Sequence, residues 1–135
     1  MKIDGACHCG KITYEAEVDP EGSRVCHCTD CQKIGGTAFR MVVPSLPGGF
    51  TLTGGAPKIY YKIAESGNKR IQGFCGDCGT HIYATTIADD PKVYNIRTGT
   101  ITQHDQLPPK TQIWHRSAQA WLPALDDLRT VEKQQ

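Results

Sequence analysis

Cys26-His27-Cys28-Thr29-Asp30-Cys31 places three thiols within six residues. Upstream stands Cys7-His8-Cys9-Gly10, and downstream Phe74-Cys75-Gly76-Asp77-Cys78-Gly79. These three stretches contain all seven cysteines of the chain. Seven is odd, so a disulfide-only scheme leaves one thiol over. The pairs Cys7/Cys9 and Cys26/Cys28 are also too close in sequence for easy mutual bridging. Cys75 and Cys78 alone suit a redox pair, but no βαβ pattern surrounds them and other cysteines are at hand to complete a tetrahedron. The reading is metal.

Spacing divides the seven. Cys26, Cys28 and Cys31 are local enough to chelate one ion at small loop-closure cost. Subtracting them leaves Cys7, Cys9, Cys75 and Cys78, a complete four-thiolate set of the structural kind. The competing division, Cys7/Cys9 with Cys26/Cys28, strands Cys31 beside Cys75/Cys78 and ranks below it. A site joining residues 7–9 to 75–78 pins the N-terminus to the middle of the chain. The triple cluster offers only three ligands, whereas Zn²⁺ prefers four, and an open position marks a catalytic site. In the opposing reading His27, or His81, His104 or His115 from elsewhere, closes it. Three thiolates leave bound zinc with a single formal negative charge. Such an ion is a weaker Lewis acid than a three-histidine zinc, and it suits a substrate thiol or a sulfur-bearing adduct. Zinc-bound water is the other option, with its acidity set by the surroundings.

The rest of the chain fits a small scaffold stapled by such sites. At 135 residues the length predicts a single domain over 1–135, with an ordered core of about 2–125 and a polar tail at 126–135. Hydrophobic residues make up 39%, and 14 glycines and 8 prolines supply many turns. Metal binding then contributes directly to folding. A net charge of +1, with no basic tract, excludes an evident nucleic-acid surface. No apolar run is long enough for a membrane helix, and Met1-Lys2-Ile3-Asp4 does not resemble a leader. Clustered thiols without disulfides fit a reducing, cytoplasmic setting.

Periodicity points to an all-β domain of short, mainly antiparallel strands. Lys11 to Val18 alternates with Ile12, Tyr14, Ala16 and Val18 on one face. Asp19-Pro20-Glu21-Gly22 turns the chain, and Arg24-Val25 leads into the triple cluster. One helical turn fits Thr29 to Lys33, and Gly35-Gly36 rules out a long helix. A strand at Thr37 to Val43 is expected to stop at Pro44 and the Pro47-Gly48-Gly49 turn. Further strands are expected at Phe50–Thr53, Lys58–Ile63, Arg70–Phe74, Thr80–Thr85 and Val93–Thr98, the last following an Asp89-Asp90-Pro91 turn. Gln112–His115 and Ala118–Leu122 are shorter candidates.

Other residues are candidates for the site. Lys33, Arg40 and Arg97 match carboxylates by charge, although solvated strand-face charges are the commoner outcome. His27, flanked by two ligands, either orients a ligand or transfers a proton, or else is an exposed knuckle residue. Phe39, Trp114 and Trp121 either wall a pocket or, more commonly for such residues, fill the core. His115, beside Trp114, is undecided.

The spacing Cys-x-Cys, then Cys-x-Cys-x-x-Cys, then Phe-Cys-x-x-Cys-Gly-Thr after a Ser-Gly turn resembles the glutathione-dependent formaldehyde-activating enzyme family, whose domain is shared by centromere protein V. Gly10, Tyr14, Gly67 and Gly79 fit the pattern, as do Val93 to Thr100, Trp114-His115 and Trp121. The resemblance implies a β-tent of antiparallel sheets with two Zn²⁺ per chain. Cys7, Cys9, Cys75 and Cys78 would hold the structural zinc, and Cys26, Cys28 and Cys31 the catalytic one. It also implies a carbon–sulfur lyase acting on a thiol–aldehyde adduct such as S-hydroxymethylglutathione, with a small-molecule thiol, glutathione for instance, as partner. The alternative is a non-catalytic zinc-stabilised binding module, with metal storage or sensing a weaker third.

Overall fold

Alternating burial along short β-rich segments builds the fold. The computed structural model describes residues 1–87 and 90–134. Its strands are β1 (Lys2–Ala6), β2 (Thr13–Val18), β3 (Arg24–Cys26), β4 (Arg40–Gly54), β5 (Lys58–Ile63), β6 (Lys69–Phe74), β7 (His81–Thr86), β8 (Asn95–Arg97) and β9 (Thr111–Ile113). One short helix, α1 (Thr29–Gly35), follows β3, and the remaining helical turns are 3-10. The domain is therefore mainly antiparallel β. Among the described residues no helix is long and apolar enough to cross a membrane.

The strand path runs β1-β2-β4-β8-β7-β6-β5, with β3 on β4 and β9 added parallel to β3. Strand β4 belongs to both halves. Residues Arg40 to Pro44 pair with β3 and β8, and Ser45 to Gly54 pair with β2. Ile3, Ile12, Tyr14, Val18, Val43, Ile82, Ile96, Ile101 and Leu107 are almost fully buried where the halves close on each other. Rings join across that core: Phe50 stacks on Tyr14 at 5.2 Å and on Tyr94 at 4.6 Å, and Tyr83 meets Phe50 edge-on at 5.3 Å.

Several boundaries differ from the sequence expectation, each for a local reason. Pro44 does not end its strand. It sits where β4 changes partners, and its carbonyl accepts from the Asp19 N–H at 3.0 Å. Pro47-Gly48-Gly49 is a bulge rather than a stop, since β2 pairs Ala16 with Phe50 but Val18 with Ser45. The Gly48 N–H is satisfied by the Lys92 carbonyl at 2.9 Å. Expected strands at Thr37–Val43 and Phe50–Thr53 are thus parts of β4. Strand β1 carries too little alternation to be read from sequence, yet pairs along its whole length with β2. Ala118–Leu122 is not a strand: no neighbour pairs with it, and Leu122–Asp127 forms a 3-10 turn with Pro123 near its start. The expected Val93–Thr98 strand shortens to Asn95–Arg97, and Gln112–His115 to Thr111–Ile113. Of the expected Asp89-Asp90-Pro91 turn, Asp89 lies outside the described residues, as does Gln135 of the polar tail. The tail from 126 to 134 is exposed.

Candidate functional site

The seven thiols gather into two groups, Cys7/Cys9/Cys75/Cys78 and Cys26/Cys28/Cys31, each with its sulfurs within 4.8 Å of one another. In the first, Cys7–Cys9 and Cys9–Cys75 sulfurs are 3.6 and 3.8 Å apart. A disulfide needs about 2.05 Å. Tetrahedral zinc with Zn–S of about 2.3 Å spaces its sulfurs about 3.8 Å apart. The observed distances fit a four-thiolate ion and exclude bonded sulfur.

Two tight turns build this group. Gly10 and Gly79 follow Cys9 and Cys78 with φ of +79° and +76°, a left-handed geometry that glycine adopts without strain. The Ile12 N–H donates to Cys7 Sγ at 3.2 Å, and Lys11 Nζ reaches Asp77 at 2.6 Å, linking the two turns. The Thr80 hydroxyl lies 3.2 Å from Cys78 Sγ and helps hold that thiol down to about 5. Backbone and hydroxyl donors around a sulfur favour its thiolate, the form a metal takes.

The second group is held differently. Cys26 ends β3, Cys28 caps α1, and Cys31 lies one helical turn later with its N–H donating to Cys28 Sγ at 3.2 Å. Arg40, across β3 on β4, points Nη2 at Cys31 Sγ at 3.3 Å. Donation from Cys26, then the Arg40 charge, hold the Cys31 thiol down to about 4 despite burial. The thiol of Cys26 is pushed up as the donor in that pair, and burial pushes up Cys28. Of the three sulfurs, Cys31 is the one bonded to a guanidinium. Among the described residues no histidine or carboxylate joins the three sulfurs.

His27 is buried, not an exposed knuckle residue. Its Nε2 is 2.8 Å from Gln112 Oε1, and its ring meets Phe39 and His115 edge-on at 5.7 and 5.5 Å. The His81 ring stacks on Phe74, and His104 pairs with Asp105 on the surface.

One wall of a cavity of about 700 Å³ is formed by Cys26, Cys28 and Cys31. Its floor is a sheet face set by period-two pairs: Arg24/Cys26 on β3, Arg40/Val42 on β4, Asn95/Arg97 on β8 and Arg70/Gln72 on β6. The opposite face of these strands carries Val25, Val43 and Ile96. Arg40 and Arg97 are each only 8% exposed, which corrects the expectation of solvated charges. Arg97 Nη2 donates to Gln72 Oε1 at 2.8 Å, and burial, then the nearby Arg40 charge, lower its pKa to about 9. Lys33 is exposed and lies outside this cavity. Trp114 and Trp121 are not core residues: Trp114 lines the cavity under the Arg116 guanidinium, and Trp121 is 52% exposed elsewhere. Two ion pairs also line the cavity, Lys62–Asp30 at 2.8 Å and Arg116–Glu65 at 3.1 Å.

Sequence reasoning missed Arg24, Arg70, Gln72, Asn95, Lys62 and Arg116. For the five strand residues the signal was a polar residue on the side of the pattern ordinarily assigned to solvent, whereas Arg116 lies on a 3-10 turn.

Comparison with known proteins agrees with this architecture. A solved structure of a Rhodobacter sphaeroides protein superposes with a TM-score of 0.60, covering 81% of this chain and 98% of its own at 18% identity, a likeness of fold. No curated protein matches the chain. The family model described as glutathione-dependent formaldehyde-activating enzyme matches residues 2–117. With its cysteine groups and mainly antiparallel sheet, the chain belongs to the glutathione-dependent formaldehyde-activating enzyme family.

Proposed function

We propose that the protein is a zinc-dependent carbon–sulfur lyase acting on a thiol–aldehyde adduct. In this reading Cys7, Cys9, Cys75 and Cys78 hold a structural zinc, and Cys26, Cys28 and Cys31 a catalytic one. The observation that carries it is an asymmetry: the three-sulfur group lines the large cavity, and the four-sulfur group does not. A complete ligand set away from a cavity suits a staple. An incomplete one at a cavity suits chemistry. The family description names glutathione, which supports a glutathione-like thiol in this reading, and the free cysteines suit a reducing compartment such as the cytoplasm.

The reaction is redox-neutral. In the synthetic direction a thiol sulfur forms a bond to an aldehyde carbon, the carbon–oxygen π bond breaks, and the thiol proton ends on the resulting hydroxyl. The lyase direction reverses each step. A thiolate-ligated zinc supplies a soft cationic centre that favours the thiolate form of a sulfur substrate. The chain's own residues do the rest. Arg40 fixes Cys31 and balances its charge. His27 is a positioning residue: its backbone N–H donates to the Ile113 carbonyl at 3.1 Å and its ring is tied to Gln112, which anchors the Cys26–Cys28 segment on β9. Trp114 and the two ion pairs line the same cavity as the three sulfurs.

Exchange NMR on formaldehyde and glutathione tests the proposal. The metal-loaded protein is expected to speed their interconversion with S-hydroxymethylglutathione, and Cys31→Ser to lose that effect. No acceleration with this or other thiol–aldehyde pairs contradicts the lyase reading.

A further inference from the structure

The cavity beside the three sulfurs has an excess of buried positive charge. Its two lining carboxylates, Asp30 and Glu65, are already paired with Lys62 and Arg116. Among the described residues no carboxylate pairs with Arg24, Arg40 or Arg97. These three are neighbours on one sheet face: Val42 is opposite Arg24 on one side and Arg97 on the other, and Arg40 is two residues from Val42. Arg40 and Arg97 are more than nine-tenths buried, yet Arg40 Nε and Nη1 and Arg97 Nε find no acceptor. Burying a cation without a counter-charge is costly, and so is burying a donor without an acceptor. Such a group is kept when a ligand completes it. The single negative charge of a three-thiolate zinc would offset only part of the charge of three guanidiniums.

We propose that Arg40 and Arg97, with Arg24 beside them, form an oxyanion subsite that holds a carboxylate or phosphate group of the substrate while its sulfur lies at the Cys26/Cys28/Cys31 group. The inference rests on the thiol reading above for the position of the sulfur, and on the sheet face for the anion. Guanidinium forks pair bidentately with either oxyanion. The subsite makes the enzyme selective for anionic thiols over neutral ones of the same length.

Calorimetric binding to the zinc-loaded protein, with four small probes, tests this. 3-Mercaptopropionate carries thiol and carboxylate, 2-mercaptoethanol the thiol alone and propionate the carboxylate alone, while inorganic phosphate is the alternative oxyanion. Charge-assisted hydrogen bonds predict that 3-mercaptopropionate binds roughly tenfold or more tightly than 2-mercaptoethanol. Arg97→Gln is expected to erase that preference. Arg24→Gln, at a half-buried position less critical for folding, is expected to weaken it. Equal binding of the two thiols to the unmodified protein overturns the subsite and leaves the thiol reading standing. Propionate binding as well as 3-mercaptopropionate, with no binding of 2-mercaptoethanol, supports the subsite and overturns the thiol reading. Phosphate binding more tightly than propionate, and lost in Arg97→Gln, supports the subsite and assigns phosphate as its oxyanion.

Discussion

Arg40 Nη2 sits 3.3 Å from Cys31 Sγ, a guanidinium on β4 bonded to the last thiol of the triple cluster. It couples the cluster to the floor of the cavity. Replacing it with an apolar residue of similar reach removes the donor to Cys31 and also two buried donors that have no acceptor. Arg40→Met is therefore expected to leave the melting temperature unchanged or raised while lowering zinc affinity at the three-cysteine group by about 10–100-fold. Competition with a chelating dye, alongside thermal melting, measures both. Unchanged zinc affinity means that Arg40 has no part in holding that group.

The two cysteine groups predict opposite responses to the same substitution. Cys75 is 2% exposed, and its group closes a loop from the first residues to the seventies. Cys75→Ser is expected to cost enough stability to leave the protein unfolded or insoluble, since structural zinc contributes on the order of 10 kcal/mol to small domains. Cys31→Ser is expected to give a folded protein that binds one zinc fewer. Circular dichroism and metal analysis of the two variants decide it, and equal damage from both removes the distinction between staple and reacting centre.

How much of this was legible in the sequence depends on what each residue type announces. Cysteine spacing announced the two groups because thiols in such clusters have few other uses, and alternation at Tyr14, Ala16 and Val18 announced β2. Strand β4 was not legible: Pro44 and Pro47-Gly48-Gly49 carry stop signals, and only the change of partner at Pro44 and the bulge beyond it explain why the strand continues. Arg40 and Arg97 were read as solvated for the same kind of reason. A period-two polar position normally faces water, and nothing local says that a helix, a hairpin and the 114–117 segment enclose that face.

Close approach at Gly5 makes a stability prediction. A Cβ there would collide with the Tyr14 ring and hydroxyl and with the Thr100 carbonyl. Gly5 is opposite Tyr14 in the β1–β2 register, and the Tyr14 hydroxyl is 2.7 Å from Thr100 Oγ1. Gly5→Ala is expected to cost about 1–3 kcal/mol by overpacking, measured by denaturant unfolding. A neutral result means that β1 moves away from β2 at no cost.

Asp4 supplies a pH signature. Donation from Gln103 Nε2 at 2.7 Å, then from the Thr102 hydroxyl at 2.9 Å, holds its carboxyl below the ordinary 3.8. The folded pKa lies below the unfolded one, so this contribution is complete above the unfolded value and is lost as pH falls through the folded value. Stability of the natural protein and of Asp4→Asn is expected to converge as pH drops below about 4. Parallel curves across that range contradict the assignment.

The central claim is that Cys26, Cys28 and Cys31 form an open metal centre that admits a thiol. Cobalt substitution reads it directly, because the visible spectrum of Co²⁺ reports its ligands. Adding 3-mercaptopropionate to the cobalt-loaded protein is expected to change the spectrum saturably, and Cys31→Ser, which keeps the four-cysteine group, is expected to lose that response. A spectrum that no thiol alters, at concentrations that saturate thiol exchange in solution, would show that the centre is closed.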